Sequence, residues 1–271
     1  MKIFTKISLV LTAVSGGVGI LLMVIGLLLG ADASDLSTMG IYLSPYQQTK
    51  VSGVADNVNM SNKSRNHGNS FSDIERLEID IPNVQITLIS EEATKEITYY
   101  TNSEKELARI EGSCLKLEDE SNIKNKIELE IHIPAGMLKE IDIEAANGTI
   151  LADRIFADNI SIEINNASVE IQELVVSNKA ELQMNAGEIV VAYYKGKHLE
   201  TECDAGSIQV ACEGSPKDYD YELECGIGSI LIDKDSYSGI GNELKIDNNS
   251  QKSIKAECSM GEVILEFPKR F

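Results

Sequence analysis

Leu199-x-Thr201-x-Cys203-x-Ala205-Gly206-Ser207-Ile208-x-Val210 is the phrase on which the fold turns. Apolar or small residues alternate with polar ones on both sides of the glycine, the period-two pattern of a strand with one face buried. At Gly206 the phase slips: Ala205 and Ile208, on either side of it, stand three apart rather than two. A chain that slips phase there must turn, and glycine supplies the positive-φ backbone or close approach that a corner needs.

The phrase occurs six times. Upstream stand Ile141-x-Ile143-x-Ala145-x-Asn147-Gly148-Thr149-Ile150, then Ile160-x-Ile162-x-Ile164-x-Asn166-Ala167-Ser168-Val169, with alanine for glycine, then Ala180-x-Leu182-x-Met184-x-Ala186-Gly187-Glu188-Ile189. Downstream are Tyr221-x-Leu223-x-Cys225-x-Ile227-Gly228-Ser229-Ile230 and Ile254-x-Ala256-x-Cys258-x-Met260-Gly261-Glu262-Val263. Positions 148, 167, 187, 206, 228 and 261 are separated by 19, 20, 19, 22 and 33 residues. The last interval holds a stretch around Asp235 to Ser250, rich in Gly, Asn, Ser and Asp, which reads as an enlarged loop. Leu77-x-Ile79-x-Ile81 and Ile127-x-Leu129-x-Ile131-x-Ile133 alternate without the glycine, as degenerate starting repeats or caps.

Two architectures satisfy the pattern. In a β-solenoid each repeat is one coil of about 20 residues, and equivalent positions stack about 4.8 Å apart. In a hairpin meander or propeller, Gly-Ser, Gly-Glu and Gly-Thr would be two-residue turns. The position three before the glycine favours the solenoid, because Cys203, Cys225 and Cys258 occupy it in the last three copies. Like residues stacking through successive coils explain that column; a meander offers no reason for it.

The columns are the candidate sites. The cysteine column faces inward and reads as small buried hydrophobes, with Cys203 and Cys225 as neighbours within disulfide reach. Four before the glycine runs an outward column of Glu144, Glu163, Gln183, Glu202, Glu224 and Glu257. Six before it stand Asp142, Ser161, Glu181, Glu200, Glu222 and Lys255. Stacked carboxylates repel, which a bound cation such as calcium would relieve; the simpler account is that they keep an exposed sheet soluble. His67, His132 and His198 are scattered, and no GxSxG, HExxH or P-loop occurs. No residue is assigned a catalytic, cofactor-binding or metal-ligating role, and the expectation is a protein that is not an enzyme.

Ile7 to Leu29 carries no charge and is long enough to cross a bilayer. Lys2 and Lys6 precede it and no basic residue follows before Lys50, which places the N-terminus in the cytoplasm and the remainder outside. Ala31-Asp32-Ala33 resembles a signal-cleavage site, but the apolar run exceeds that of a signal peptide, so an uncleaved anchor is expected. The expected organisation is a stub and transmembrane helix over 1–31, a polar linker over 32–72 and an extracytoplasmic β-repeat domain over 73–271. The net charge of −19 leaves no basic stripe for nucleic acid.

These features together resemble a family of bacterial surface proteins whose outer domain bears the provisional label of an adhesin domain of unknown function. The lysine-flanked anchor ending Gly30-Ala31-Asp32, the strand Ile127-x-Leu129-x-Ile131-x-Ile133-Pro134, the Ala-Gly-x-Ile phrases and the ending Gly261-Glu262-Val263-Ile264-Leu265 carry the resemblance. It implies a solenoid-like fold displayed mostly by bacteria with a single membrane, and some relatives sit beside envelope-stress regulators.

The expectation that follows is a surface-exposed binding or structural module, held in the cell membrane through residues 7–29, with an extracellular or membrane-protein partner. An accessory role in envelope-stress signalling is the alternative. An extracellular carbohydrate-active enzyme stands third, because arginine is scarce and tryptophan absent.

Overall fold

The computed structural model describes residues 67–119, 126–136 and 138–268, so the expected anchor over 7–29 and most of the 32–72 linker lie outside them. Among the described residues no helix is long and apolar enough to cross a membrane. They are all-β apart from a 3-10 turn at Pro216–Asp218.

Eleven strands form one curled, open sheet. They are β1 His67–Phe71, β2 Arg76–Asp80, β3 Asn83–Glu91, β4 Ile97–Thr101, β5 Ala108–Glu111, β6 Cys114–Glu118, β7 Ile127–Pro134, β8 Leu138–Cys212, β9 Asp220–Ile232, β10 Asp235–Ile246 and β11 Ser253–Glu266. β8 is 75 residues of continuous extended backbone that contains the corner positions 148, 167, 187 and 206.

The corners lie on one another. A Cβ on Gly187 would fall 1.7 Å from the Ala167 carbonyl oxygen, and one on Gly206 would fall 1.8 Å from that of Gly187. One on Gly261 would fall 1.7 Å from the Gly206 oxygen, and one on Gly228 would fall 1.6 Å from that of Gly261. The φ angles of these four glycines run from 136° to 149°, a region closed to side-chain-bearing residues. Parallel pairing of Gly261 with both Gly206 and Gly228 fixes the register on either side of β11. These glycines are not hairpin tips. Gly148 and Ala167 turn without positive φ, which is why alanine is admissible at 167. Asn166 Nδ2 donates to Asn147 Oδ1 at 3.2 Å beside them, an asparagine rung where the later corners carry Ala, Met or Ile.

The order of layers is not the order of the chain. β11 inserts between the end of β8 and β9, and at the other end β2 and β3 lie between β8 and the later strands β6 and β7. Leu77 pairs with Ile141 and Ile86 with Ile150, so β2 and β3 supply a full layer rather than a degenerate cap. Antiparallel strands form each end: β10 on β9, and β4 and β5 on β7 and β6.

Four expectations change. The stretch near Asp235 is not a loop but β10, antiparallel to β9 along its whole length; its Gly, Asn and Ser masked a strand that its pairing stabilises. The sheet begins upstream of Asp73, because β1 pairs with β4 despite the polar composition of His67–Ser70. Cys203 and Cys225 are not neighbours, because Cys258 stands between them. Lys255 likewise lies between Glu200 and Glu222 rather than at the end of its column.

The core is the inward column set. Ile143, Ile162, Leu182, Leu223 and Ala256 are all at most 1% exposed, and each large aliphatic side chain so buried contributes about 1.5–3 kcal/mol relative to exposure. Thr201 occupies the same column and is also 1% exposed, but its hydroxyl has no hydrogen-bond partner.

Candidate functional site

Successive layers present the residues before each repeat along one side of the stack, and there they leave a groove of about 680 Å³. Its apolar wall comes from Leu138, Phe156, Ala157, Val175 and Val176, with Lys139, Lys195, Lys197 and Lys252 around it. Gly196 is part of the wall for a steric reason: a Cβ there would lie 2.4 Å from the hydroxyl of buried Tyr194.

The lysines are mostly compensated. Glu213 lies 3.2 Å from Lys195 and 3.7 Å from Lys252, and accepts a hydrogen bond from the Tyr193 hydroxyl at 3.2 Å. Burial works against the Glu213 charge, but Lys195 and Tyr193 outweigh it and hold the carboxyl below its ordinary value. Lys139 pairs with Glu75 at 2.9 Å. The Lys252 ammonium sits 5.2 Å from the Tyr219 ring centre, within cation–π range. The groove is therefore an apolar strip with polar, near-balanced margins, the arrangement common to ligand clefts and protein contact surfaces.

The two outward columns differ in a way the chain order hides. Six before the corner, register places Lys255 between Glu200 and Glu222, and Lys245 on the far side of Glu222. Charges alternate, with Lys255 3.1 Å from Glu200 and Lys245 3.7 Å from Glu222. The Lys255 pKa rises through its hydrogen bonds to Glu257 and Glu200. Four before the corner the sign does not alternate: Glu202, Glu257, Glu224 and Glu243 follow one another across four strands. Burial first and neighbouring carboxylates second raise the Glu202 pKa, and the same causes raise that of Glu144. Among the described residues no group of His, Cys, Asp and Glu is arranged to hold a metal ion.

The cysteines are buried free thiols. Cys258 donates weakly to the Gly206 carbonyl at 3.8 Å and Cys225 to that of Gly261 at 3.6 Å, so the column braces the corners. Burial pushes Cys212 up to about 12 and also raises Cys225, which keeps them protonated.

Two histidine contacts escape sequence reasoning because register alone creates them. Ser253 pairs with His198, bringing the hydroxyl 2.9 Å from Nδ1. The adjacent Asp220 carboxylate accepts the backbone N–H groups of Asn248 and Ser250, so its Oδ1 is engaged in a turn rather than in orienting the imidazole. His132 lies between Glu91, 2.5 Å from Nδ1, and the buried Glu130, 3.0 Å from Nε2. Burial opposes its charge, but the two carboxylates prevail and raise its pKa. Alignment of the repeats, had the layer order been known, would have revealed the first contact.

No family model matches the chain, and no curated protein matches it. Solved structures do. A protein from Clostridium sporogenes provisionally described as a cell adhesion protein is 13% identical over 74% of this chain and 99% of its own, with a TM-score of 0.37. One from Parabacteroides distasonis provisionally described as an adhesin is 9% identical over 73% and 96%, with a TM-score of 0.37. Another from Bacteroides fragilis, similarly described, is 9% identical over 75% and 98%, with a TM-score of 0.34. Of these three structures, two are thus provisionally described as adhesins and one as a cell adhesion protein.

Proposed function

We propose that this chain is a non-catalytic binding module, displayed outside the cell as a β-solenoid on an uncleaved membrane helix over residues 7–29, and that it contacts its partner through the groove around Phe156. The groove carries the proposal. It concentrates apolar surface on one side of a stack whose outward column four before the corner is acidic. A rigid, hydrogen-bonded stack suits such a role, since it holds contact residues in place with little conformational entropy to lose on binding. Glycine-cornered layers in parallel register support the solenoid description, and the uncharged run after Lys6 supports the anchor.

The test is site-specific photo-cross-linking in intact cells. A benzophenone side chain at Phe156 reports on the groove, and one at Glu163 reports on the acidic face. Adducts with a macromolecule from position 156, absent from 163, are expected. An external adduct favours a surface-binding role; one with a protein of the same membrane favours an accessory signalling role. Equal labelling from both positions would discard the groove as the contact surface.

A further inference from the structure

β10 ends the sheet, with β9 on one side and nothing on the other among the described residues. Its inward side chains are less covered than those of any interior layer. Tyr237 is 39% exposed, whereas its β9 neighbour Ile230 is fully buried. Leu244 and Ile246 pack on the core but are only half-buried, opposite Leu223 and Tyr221. At the corner, Ile240 is 88% exposed, beside Ile227 at 46% and, one layer further in, Met260 at 56%. A long edge strand of this kind invites another strand to pair with it.

β10 has a geometry that a copy of itself satisfies. It bends at Ile240, where it pairs with the corner residue Ile227, and lies reversed on β9 with corner on corner and interior on interior. A second β10 added in the same manner must obey the same two conditions. The first puts the neighbourhood of Ile240 opposite itself. The second, because the inward residues are Asn242, Leu244 and Ile246 on one arm but Asp235 and Tyr237 on the other, leaves two registers. One places Tyr237 opposite Leu244, Lys234 opposite Asp247 and Asp235 opposite Ile246. The other, shifted by two, places Lys245 opposite Lys234 and Leu244 opposite Asp235. The first joins apolar to apolar and opposite charges, twice each by symmetry, and opposes no like charges. Both set Asp235 against an apolar residue, so the difference lies elsewhere: the second sets Tyr237 against Asn242 and lysine against lysine.

We propose that two copies of this chain associate through their β10 edges, antiparallel about a two-fold axis near Ile240, with Tyr237 of each opposite Leu244 of the other and Lys234 opposite Asp247. The pairing continues the stack end to end and covers the apolar end that β10 leaves open. An isologous contact of this kind closes at two copies, which prevents the edge from templating a fibre.

Disulfide trapping in membranes of cells expressing the full chain tests both the contact and its register. The proposed register sets residue 236 against 245 of the other copy, and the alternative sets 236 against 243. Oxidation of the S236C/K245C variant is expected to yield covalent dimer about tenfold above S236C/E243C. In the S236C/K245C background, Lys234→Asp should lower the yield about fivefold, as loss of two exposed ion pairs implies, and adding Asp247→Lys should restore it. The native thiols are buried and do not interfere. Dominant trapping of the 236–243 pair, absence of covalent dimer from both, or covalent capture of a different protein by S236C/K245C would each overturn the proposal.

Discussion

Replacing Gly206 by alanine should do far more harm than replacing a glycine of similar φ sign outside the stack. Gly206 has a φ of 144°, and an added Cβ would sit 1.8 Å from the Gly187 carbonyl oxygen, 2.8 Å from its carbon and 3.2 Å from its nitrogen. All three contacts are backbone, held between layers, so no side chain can swing aside. Adopting such a conformation costs a non-glycine residue about 1–3 kcal/mol, and forcing a methyl group into a packed interior adds about 1–3 kcal/mol. Together these predict a loss of about 2–6 kcal/mol, a large part of the 5–15 kcal/mol typical of a folded domain. Gly112, with a φ of 63° and nothing within 4 Å of its Cβ position, meets only the backbone part, so Gly112→Ala should cost about 1 kcal/mol. Ala167→Gly, at the corner without positive φ, should cost less than about 1 kcal/mol. The assay is equilibrium urea unfolding of the purified full-length chain in mild detergent, followed by far-UV circular dichroism. If Gly206→Ala and Gly112→Ala fell within about 1 kcal/mol of each other, the stacked-corner account of the fold would fail.

Other substitutions probe the columns. Thr201→Val removes a buried hydroxyl that lacks a partner while keeping the shape, and should raise stability by about 1 kcal/mol in the same unfolding assay; a loss instead would mean the hydroxyl is satisfied. His132 has a raised pKa, so the stabilisation of its charged form between Glu91 and Glu130 is complete below the ordinary histidine range and disappears as pH rises through the raised value. His132→Gln should therefore cost about 1–2 kcal/mol at pH 5.5 and much less at pH 9, and a pH-independent cost would refute the clamp. For Glu202 the sign is opposite: its raised pKa means the folded chain binds protons more readily than the unfolded one, so stability falls as pH climbs through that range. Glu202→Gln should raise the melting temperature at pH 7 by an amount equivalent to about 0.2–0.5 kcal/mol, small because solvent screens this exposed carboxylate, with the gain fading near pH 4 and in high salt.

The features legible in the sequence were those that repeat. Alternation at period two assigns strands wherever one face is buried, and the slip at Gly206 and its equivalents marks corners because few residues adopt that backbone. The inward cysteine column and the outward carboxylates follow from the same alternation, and all five cysteines are indeed buried. Composition misled where pairing overrode it: β10 and β1 look like loop and linker because their Gly, Asn and Ser content lowers strand propensity, which hydrogen bonding to β9 and β4 overcomes.

The groove was not legible. Its wall combines Leu138, Phe156, Val176 and Lys252, which lie outside the repeating phrase and become adjacent only through stacking.

The one-dimensional pattern determines that the chain forms layers with an inside, an outside and a corner, because side-chain alternation and glycine φ are local properties. It does not determine which layer lies beside which. Only the tertiary structure sets Gly261 between Gly206 and Gly228, Cys258 between Cys203 and Cys225, and Lys255 between two glutamates. That order depends on hydrogen bonds between strands far apart in the chain and on how each end of the sheet is formed, and neither leaves a trace in the spacing of residues.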